Sequence, residues 1–193
     1  MDSGHPMALQ SLAVVDRTNL RWLRSRDRPA AFSLLSGDAT VATLEWAQGD
    51  RSLAMLRSVS EEWTLKRGGF LNPHVTVRAK EKLLARLSVH LNYHQIDVAG
   101  GRSYRFHRAG VLVPAWQVST RVGKEVLHVE PVREGRHLSA GAVVVSSDAA
   151  DLSDLLLLTT LSWYFIVLAW FEDEAVETLA PFEGPDAPAS LGS

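Results

Sequence analysis

His90, His94 and His107 are the side chains in this sequence whose type and spacing first suggest a metal. On a helix, His90 and His94 would lie one turn apart and could share an ion. The surrounding run alternates as a strand, however, and a strand separates their Cα atoms by about 13 Å at roughly 3.3 Å per residue. They are expected to be solvent-facing strand histidines, the alternative being a functional role with His107 or Arg105, and no HExxH helix accompanies them. Glu61 and Glu62 could be drawn as an acid/base pair beside Trp63, yet adjacent strand residues point to opposite faces. A turn before a buried tryptophan is the expected role. No serine sits in a GxSxG elbow, and no P-loop or GxGxxG is present. The chain has no cysteine, hence no thiolate metal site, disulfide or cysteine nucleophile. No DxDxDG calcium loop occurs either. The sequence therefore points away from an enzyme and names no metal and no cofactor.

Two basic clusters offer a different chemistry, the binding of anions. Arg17, Arg21, Arg24, Arg26 and Arg28 crowd around Trp22. Lys66, Arg67, Arg78, Lys80, Lys82 and Arg86 fall near the ends of consecutive strands and could converge on one rim. Against a negatively charged membrane each Lys or Arg contributes about 1 kcal/mol, an attraction that fades beyond a Debye length. Ordinary solvated charge is the alternative. Charge is also segregated along the chain. Residues 1–147 hold all 20 Lys and Arg against 13 Asp and Glu, whereas nine acids and no base follow, for a net charge of -2. Nucleic acid is a poor candidate partner, since the pI is about 6.4 and no aromatic RNP-like strand or recognition helix appears.

These residues must be held by a framework that is mostly strand. Ala85, Leu87, Val89, Leu91 and Tyr93 alternate with Arg86, Ser88, His90, Asn92 and His94, and the same period two places Ala42, Leu44 and Trp46 on one face. Trp63 with Leu65, Val75 with Val77, and Tyr104 with Phe106 repeat it. Further strands are expected at Ala31–Leu35, Leu53–Val59, Val111–Ser119, Glu125–Pro131 and Ala142–Ser146. Turn residues punctuate the runs, at Ser36-Gly37-Asp38, Gln48-Gly49-Asp50, Gly68-Gly69, Ala99-Gly100-Gly101, Ala109-Gly110, Gly123 and Glu134-Gly135. An antiparallel meander of ten to twelve strands follows, as a sandwich or a closed barrel. The 46% apolar composition and six tryptophans supply a sizeable core. Residues 1–17 are expected to be a peripheral extension and 178–193 a disordered acidic tail rich in Pro, Gly, Ala and Ser. The N-terminus lacks the basic region of a secretory signal, so a cytoplasmic location is expected.

Near residue 151 the pattern changes. From Leu155 to Phe171 seventeen residues carry no charge, and apolar side chains fall on every side of a helix expected at about 151–171. Asp151, Ser153 or Asp154 can cap its start. The uncharged stretch would extend about 26 Å, against a bilayer core of about 30 Å. A tail-anchored span is thus one reading, weakened by flanks without the Lys or Arg that set orientation. The other is a helix buried in a barrel of about twelve strands, wide enough to leave a lumen.

The run GDATVATLEWAQGDRSLAMLRSVSEEWTLKRGGFLNPHVTVR, then GGRSYRFHRAG, then LLLLTTLSWYFIVLAWFEDEA resembles an uncharacterised bacterial branch of the tubby C-terminal-like superfamily. That superfamily also takes in phospholipid scramblases and the plant LURP-one-related proteins. The resemblance covers roughly Leu20 to Glu177 and rests on the order of elements, the strand end Trp63-Thr64-Leu65-Lys66-Arg67-Gly68 and the terminal apolar helix. It implies an all-β, twelve-stranded antiparallel closed barrel, residues 18–177, enclosing the hydrophobic C-terminal helix. Some eukaryotic tubby-like domains bind phosphoinositides through basic residues, although no single binding residue carries over by motif. The missing calcium loop departs from scramblases. The expected function is a non-enzymatic binding module that docks on anionic phospholipid headgroups, or on a protein partner, through a basic rim, peripheral at the membrane. A scramblase-like lipid-handling protein with its helix in the bilayer is the alternative.

Overall fold

The computed structural model describes residues 9–12, 15–28, 30–110 and 115–179, with side chains of the last helix described through Phe171. Twelve strands follow one another: β1 (Asn19–Arg24), β2 (Ala31–Ser36), β3 (Ala39–Ala47), β4 (Asp50–Ser58), β5 (Glu62–Gly68), β6 (His74–Ala79), β7 (Lys82–Val89), β8 (His94–Val98), β9 (Arg102–Ala109), β10 (Ala115–Thr120), β11 (Glu125–Glu134) and β12 (His137–Val145). A short 3-10 turn, Ser147–Ala149, leads to the helix α1 (Leu155–Leu179). Every strand pairs antiparallel with its sequence neighbour, and β1 pairs with β12, so the sheet is a closed barrel without an edge.

The alternation that marks the strands is the partition between lumen and solvent. Leu44 and Trp46, Trp63 and Leu65, Val75 and Val77, Ala85 and Leu87, and Tyr104 and Phe106 are all buried. Tight turns connect the strands because glycine accepts positive φ, most tellingly at Gly69, where φ is 78° and a Cβ would strike the Asn72 carbonyl.

Two local expectations need correction. The alternating run through Tyr93 and His94 is not one strand: β7 ends at Val89, and His90 donates its N–H to the Tyr93 carbonyl at 3.0 Å across a hairpin turn. Leu91 is therefore 99% exposed rather than on a buried face. The other point is an omission: β1, in an arginine-rich stretch, was not among the expected strands, yet its Trp22 is fully buried and its pairing closes the barrel. Of the expected strand Val111–Ser119, residues 111–114 lie outside the described residues, as does the tail from residue 180. The helix itself runs to Leu179, beyond its expected end.

α1 threads the lumen. Leu158, Leu161, Trp163, Tyr164 and Val167 have no exposed surface, and neither do Thr159, Thr160 and Ser162, so the plug is less purely apolar than expected. Its contacts come from around the barrel: Trp163 stacks on Trp22 of β1 at 6.0 Å, Tyr164 on Trp46 of β3 at 5.6 Å, and Phe165 meets Trp116 of β10 edge-on at 5.7 Å. At Gly141 of β12 a Cβ would fall within the Trp163 ring, so the missing side chain is what lets that strand lie against the indole. Tyr164 also enters the sheet's bonding. It donates its hydroxyl to the Ser52 carbonyl and accepts the Arg67 N–H at 3.1 Å, bridging β4 and β5 just beyond their last pair, Leu53 and Lys66. Burial pushes that phenol's pKa up. Among the described residues no helix is long and apolar enough to cross a membrane.

The two barrel ends differ. At the base, where α1 begins, the buried Asp154 accepts hydrogen bonds from Arg102 at 2.7 Å and Tyr104 at 3.0 Å, tying the helix start to β9. At the mouth, where α1 emerges, the rim is built from the β1–β2, β3–β4, β5–β6, β7–β8 and β11–β12 connections.

Candidate functional site

Antiparallel pairing sorts the outward side chains of β5–β9 into rows that ring the wall. The row at the mouth is Gly68, His74, Ser88, Gln95 and Arg105. The next, two residues or about 7 Å lower, is Lys66, Thr76, Arg86, Asp97 and Ser103. Below it, Thr64 pairs with Arg78, which pairs with Leu83. Lys66 and Arg86 thus flank Thr76 on one row, and Arg105 joins from the row above.

The six basic residues singled out by sequence do not share one rim. Lys66, Arg78 and Arg86 stand on the outer wall, each exposed. Arg67 is paired with Val75 and turns toward the mouth, where it lines a cleft of about 110 Å³ with Pro73, His74, Val75, Phe165 and Leu168. Lys80 and Lys82 occupy the β6–β7 turn, at the base, with Lys80 at a φ of 53°. Among the described residues, Lys66, Lys80, Lys82, Arg78 and Arg86 have no carboxylate within ion-pair distance. The N-terminal arginines are dispersed by contrast: Arg17 pairs with Asp151 at the base, Arg21 with Asp38, and Arg28 with Glu45, while Arg24 lies over the Trp170 ring at 5.9 Å. Arg24 and Arg26 line one cleft at the mouth with Glu134 and His137, and the five do not converge on one site.

The carboxylate on the wall row is occupied. Asp97 accepts the Gln95 amide at 2.8 and 3.0 Å and the Ser103 hydroxyl at 2.5 Å, and Arg121 donates to that hydroxyl at 3.0 Å. Sequence reasoning considers Arg105 only as a companion of the histidines and does not place Arg121 beside the basic strip, because only the register brings β9, and the β10–β11 turn that carries Arg121, into line with it. From Trp63 to Lys124 eleven Lys and Arg stand against two acids, Glu81 and Asp97; Arg102 and Lys124 are paired with Asp154 and Asp148, and the remainder leave this part of the barrel cationic. Chemically such a wall can hold phosphate oxygens through Lys and Arg donors.

The histidines do not assemble a metal site, and no group of three or more metal-ligating His, Asp or Glu occurs among the described residues. His90 stacks on Tyr93 at 5.1 Å. His94 is not solvent-facing as expected. It packs 4.4 Å from the Phe165 ring and near Phe106 and Trp116, with Nδ1 buried and without a hydrogen-bond partner among the described residues. Desolvation, helped by the charge of His90, pulls its pKa down to about 4. The unfolded chain then binds a proton that the folded one refuses, so stability rises with pH in this window. His94 contributes fully above pH about 6.5, and the contribution declines as pH falls toward 4. We expect the melting temperature of the protein to fall between pH 6.5 and 4.5 more steeply than that of a His94→Phe variant; parallel curves would show that His94 is not the titrating group.

At the base, burial first and the Asp154 carboxylate second push the Tyr104 phenol up to about 12, so it remains a hydrogen-bond donor at every physiological pH. That cluster is structural, since each member serves the helix start. Comparison of the chain with protein-family models, with curated proteins and with solved structures returns no match.

Proposed function

We propose that the protein is a non-enzymatic binding module, a tubby-like barrel that docks peripherally on anionic phospholipid headgroups through the wall formed by β5–β9. The observation that carries this reading is the charge of that wall, nine Lys and Arg against three acids from Glu62 to Ala109, with Lys66 and Arg86 in one row and neither within ion-pair distance of a carboxylate among the described residues. Lys66, Arg78, Arg86 and Arg105, all exposed on that wall, would add about 4 kcal/mol near a charged surface, roughly three decades in partitioning. The attraction is long-ranged at low salt and collapses at 1 M, where the Debye length is about 3 Å.

The test is co-sedimentation of the detergent-free protein with vesicles of phosphatidylcholine alone or mixed with phosphatidylglycerol. Binding to the anionic vesicles only, lost at high salt and weakened about a hundredfold by combining Lys66→Glu with Arg86→Glu, is expected. Equal binding by that double variant would reject the wall as the docking face. Failure to bind either vesicle would reject the lipid reading and turn attention to an acidic protein partner.

A further inference from the structure

We infer that the mouth of the barrel is inserted into the phospholipid surface, with Phe70 and Leu71 of the β5–β6 loop and Leu91 of the β7–β8 loop entering the headgroup and upper acyl region; the inference rests on the lipid reading above. Isolated exposed apolar residues are ordinary on any protein. Here, however, Phe70 is 99%, Leu71 86% and Leu91 99% exposed, all three on two loops of the same end. Those loops are neighbours. His74 pairs with Ser88, and Val89 donates its N–H to the Pro73 carbonyl at 3.3 Å, so the apolar tips stand side by side.

The loops are shaped to hold these side chains out. Gly69 turns the chain at a positive φ that brings it against the Asn72 carbonyl, and that carbonyl also lies 3.0 Å from His74 Nδ1. In the second loop, Tyr93 is braced by the His90 ring and by the Arg105 guanidinium, 5.7 Å from its centroid, leaving Leu91 at the tip. Charge selects the partner. The two loops, GGFLNP and HLNY, contain no acid, and the rows beneath supply Arg105, Lys66 and Arg86. Asp50 on the adjoining β4 is turned back onto the Ser52 N–H and hydroxyl, at 2.8 and 2.6 Å. Apolar side chains that stand clear of the fold, with Lys66, Arg86 and Arg105 on the wall beneath them, fit an anionic bilayer, whose binding grows with buried apolar area and with electrostatic attraction; the last turns of α1, which carry Glu172, Asp173, Glu174 and Glu177, leave the same end and oppose that attraction.

The absence of native cysteine makes the test direct. A Leu91→Cys variant and a Val122→Cys variant are each labelled with an environment-sensitive fluorophore; Val122 is 91% exposed on the β10–β11 turn at the base. With vesicles containing phosphatidylglycerol, the label at 91 should shift to the blue and be quenched by brominated acyl chains, while that at 122 should not. Replacing Phe70, Leu71 and Leu91 together with serine should weaken vesicle binding at least about tenfold, since each apolar side chain contributes on burial, with the melting temperature unchanged. Wild-type binding accompanied by an unshifted label at 91 and an unaffected serine variant would overturn insertion while leaving headgroup docking intact. Absence of wild-type binding to the anionic vesicles would overturn both.

Discussion

Replacing Leu158 with aspartate is expected to leave no folded protein. Leu158 has no exposed surface, and it lies one helical turn inside the lumen from Asp154. A carboxylate there meets no cation: Arg102, at the helix start, is already 2.7 Å from Asp154. Asp154 would instead repel it from the i,i+4 position. Burying an unpaired charge costs several kcal/mol or forces the group to protonate, and a domain of this kind has only about 5–15 kcal/mol in total. Lysine would be a poorer test, because its long stem could carry the ammonium back toward Asp154. The measurement is tryptophan emission with a thermal melt. Trp22 and Trp163, stacked and fully buried in the native barrel, should emit from a wet environment in Leu158→Asp. Leu158→Met, which keeps volume and apolarity, should cost less than about 1.5 kcal/mol. A cooperative, wild-type-like melt of the aspartate variant would mean that the helix is not confined in the lumen.

The barrel was legible because two independent signals agree along most of the chain. Period two marks what each strand buries, as at Val75 and Val77, and glycine marks where the chain reverses, as at Gly37, Gly49 and Gly135. Where one signal is missing, the reading slipped. β1 offers only Leu20 and Trp22 as inward positions among charged neighbours, and its place depends on a partner over a hundred residues away. Around Leu91 the alternation continues through a turn without glycine, so periodicity alone extended a strand that the backbone ends. The basic residues show a different limit. Each strand reversal carries the chain to the opposite end, so Lys66 and Arg67, before the β5–β6 turn, lie toward the mouth while Lys80 and Lys82 lie at the base. That separation follows from counting hairpins, whereas the alignment of Lys66, Arg86 and Arg105 needs the register and could not be read from strand ends.

Deleting residue 151 onward is expected to convert the protein into insoluble material, because the barrel is wider than its own side chains can fill. Eight strands already enclose just enough space for inward residues, and twelve enclose more. The difference is taken up by α1, a cylinder about 10–12 Å across with its side chains. Without it, Trp22, Phe32, Trp46 and Phe106, each in contact with an aromatic ring of the helix, face a cavity. Removing a single large core side chain costs about 3–5 kcal/mol, and here five helix aromatics, Trp163, Tyr164, Phe165, Trp170 and Phe171, leave at once. Polar partners go too: the Ser52 carbonyl and the Arg67 N–H lose the Tyr164 hydroxyl, and Tyr104 loses Asp154. A barrel that loses its filling in this way can open at a strand seam, exposing its apolar lining and unpaired strand edges to other copies. The checks are the soluble fraction on expression and, after refolding, the sedimentation profile. A truncated chain that stayed monomeric and melted cooperatively would show that the twelve strands form a self-sufficient domain, as a barrel anchored by a membrane-spanning tail would be.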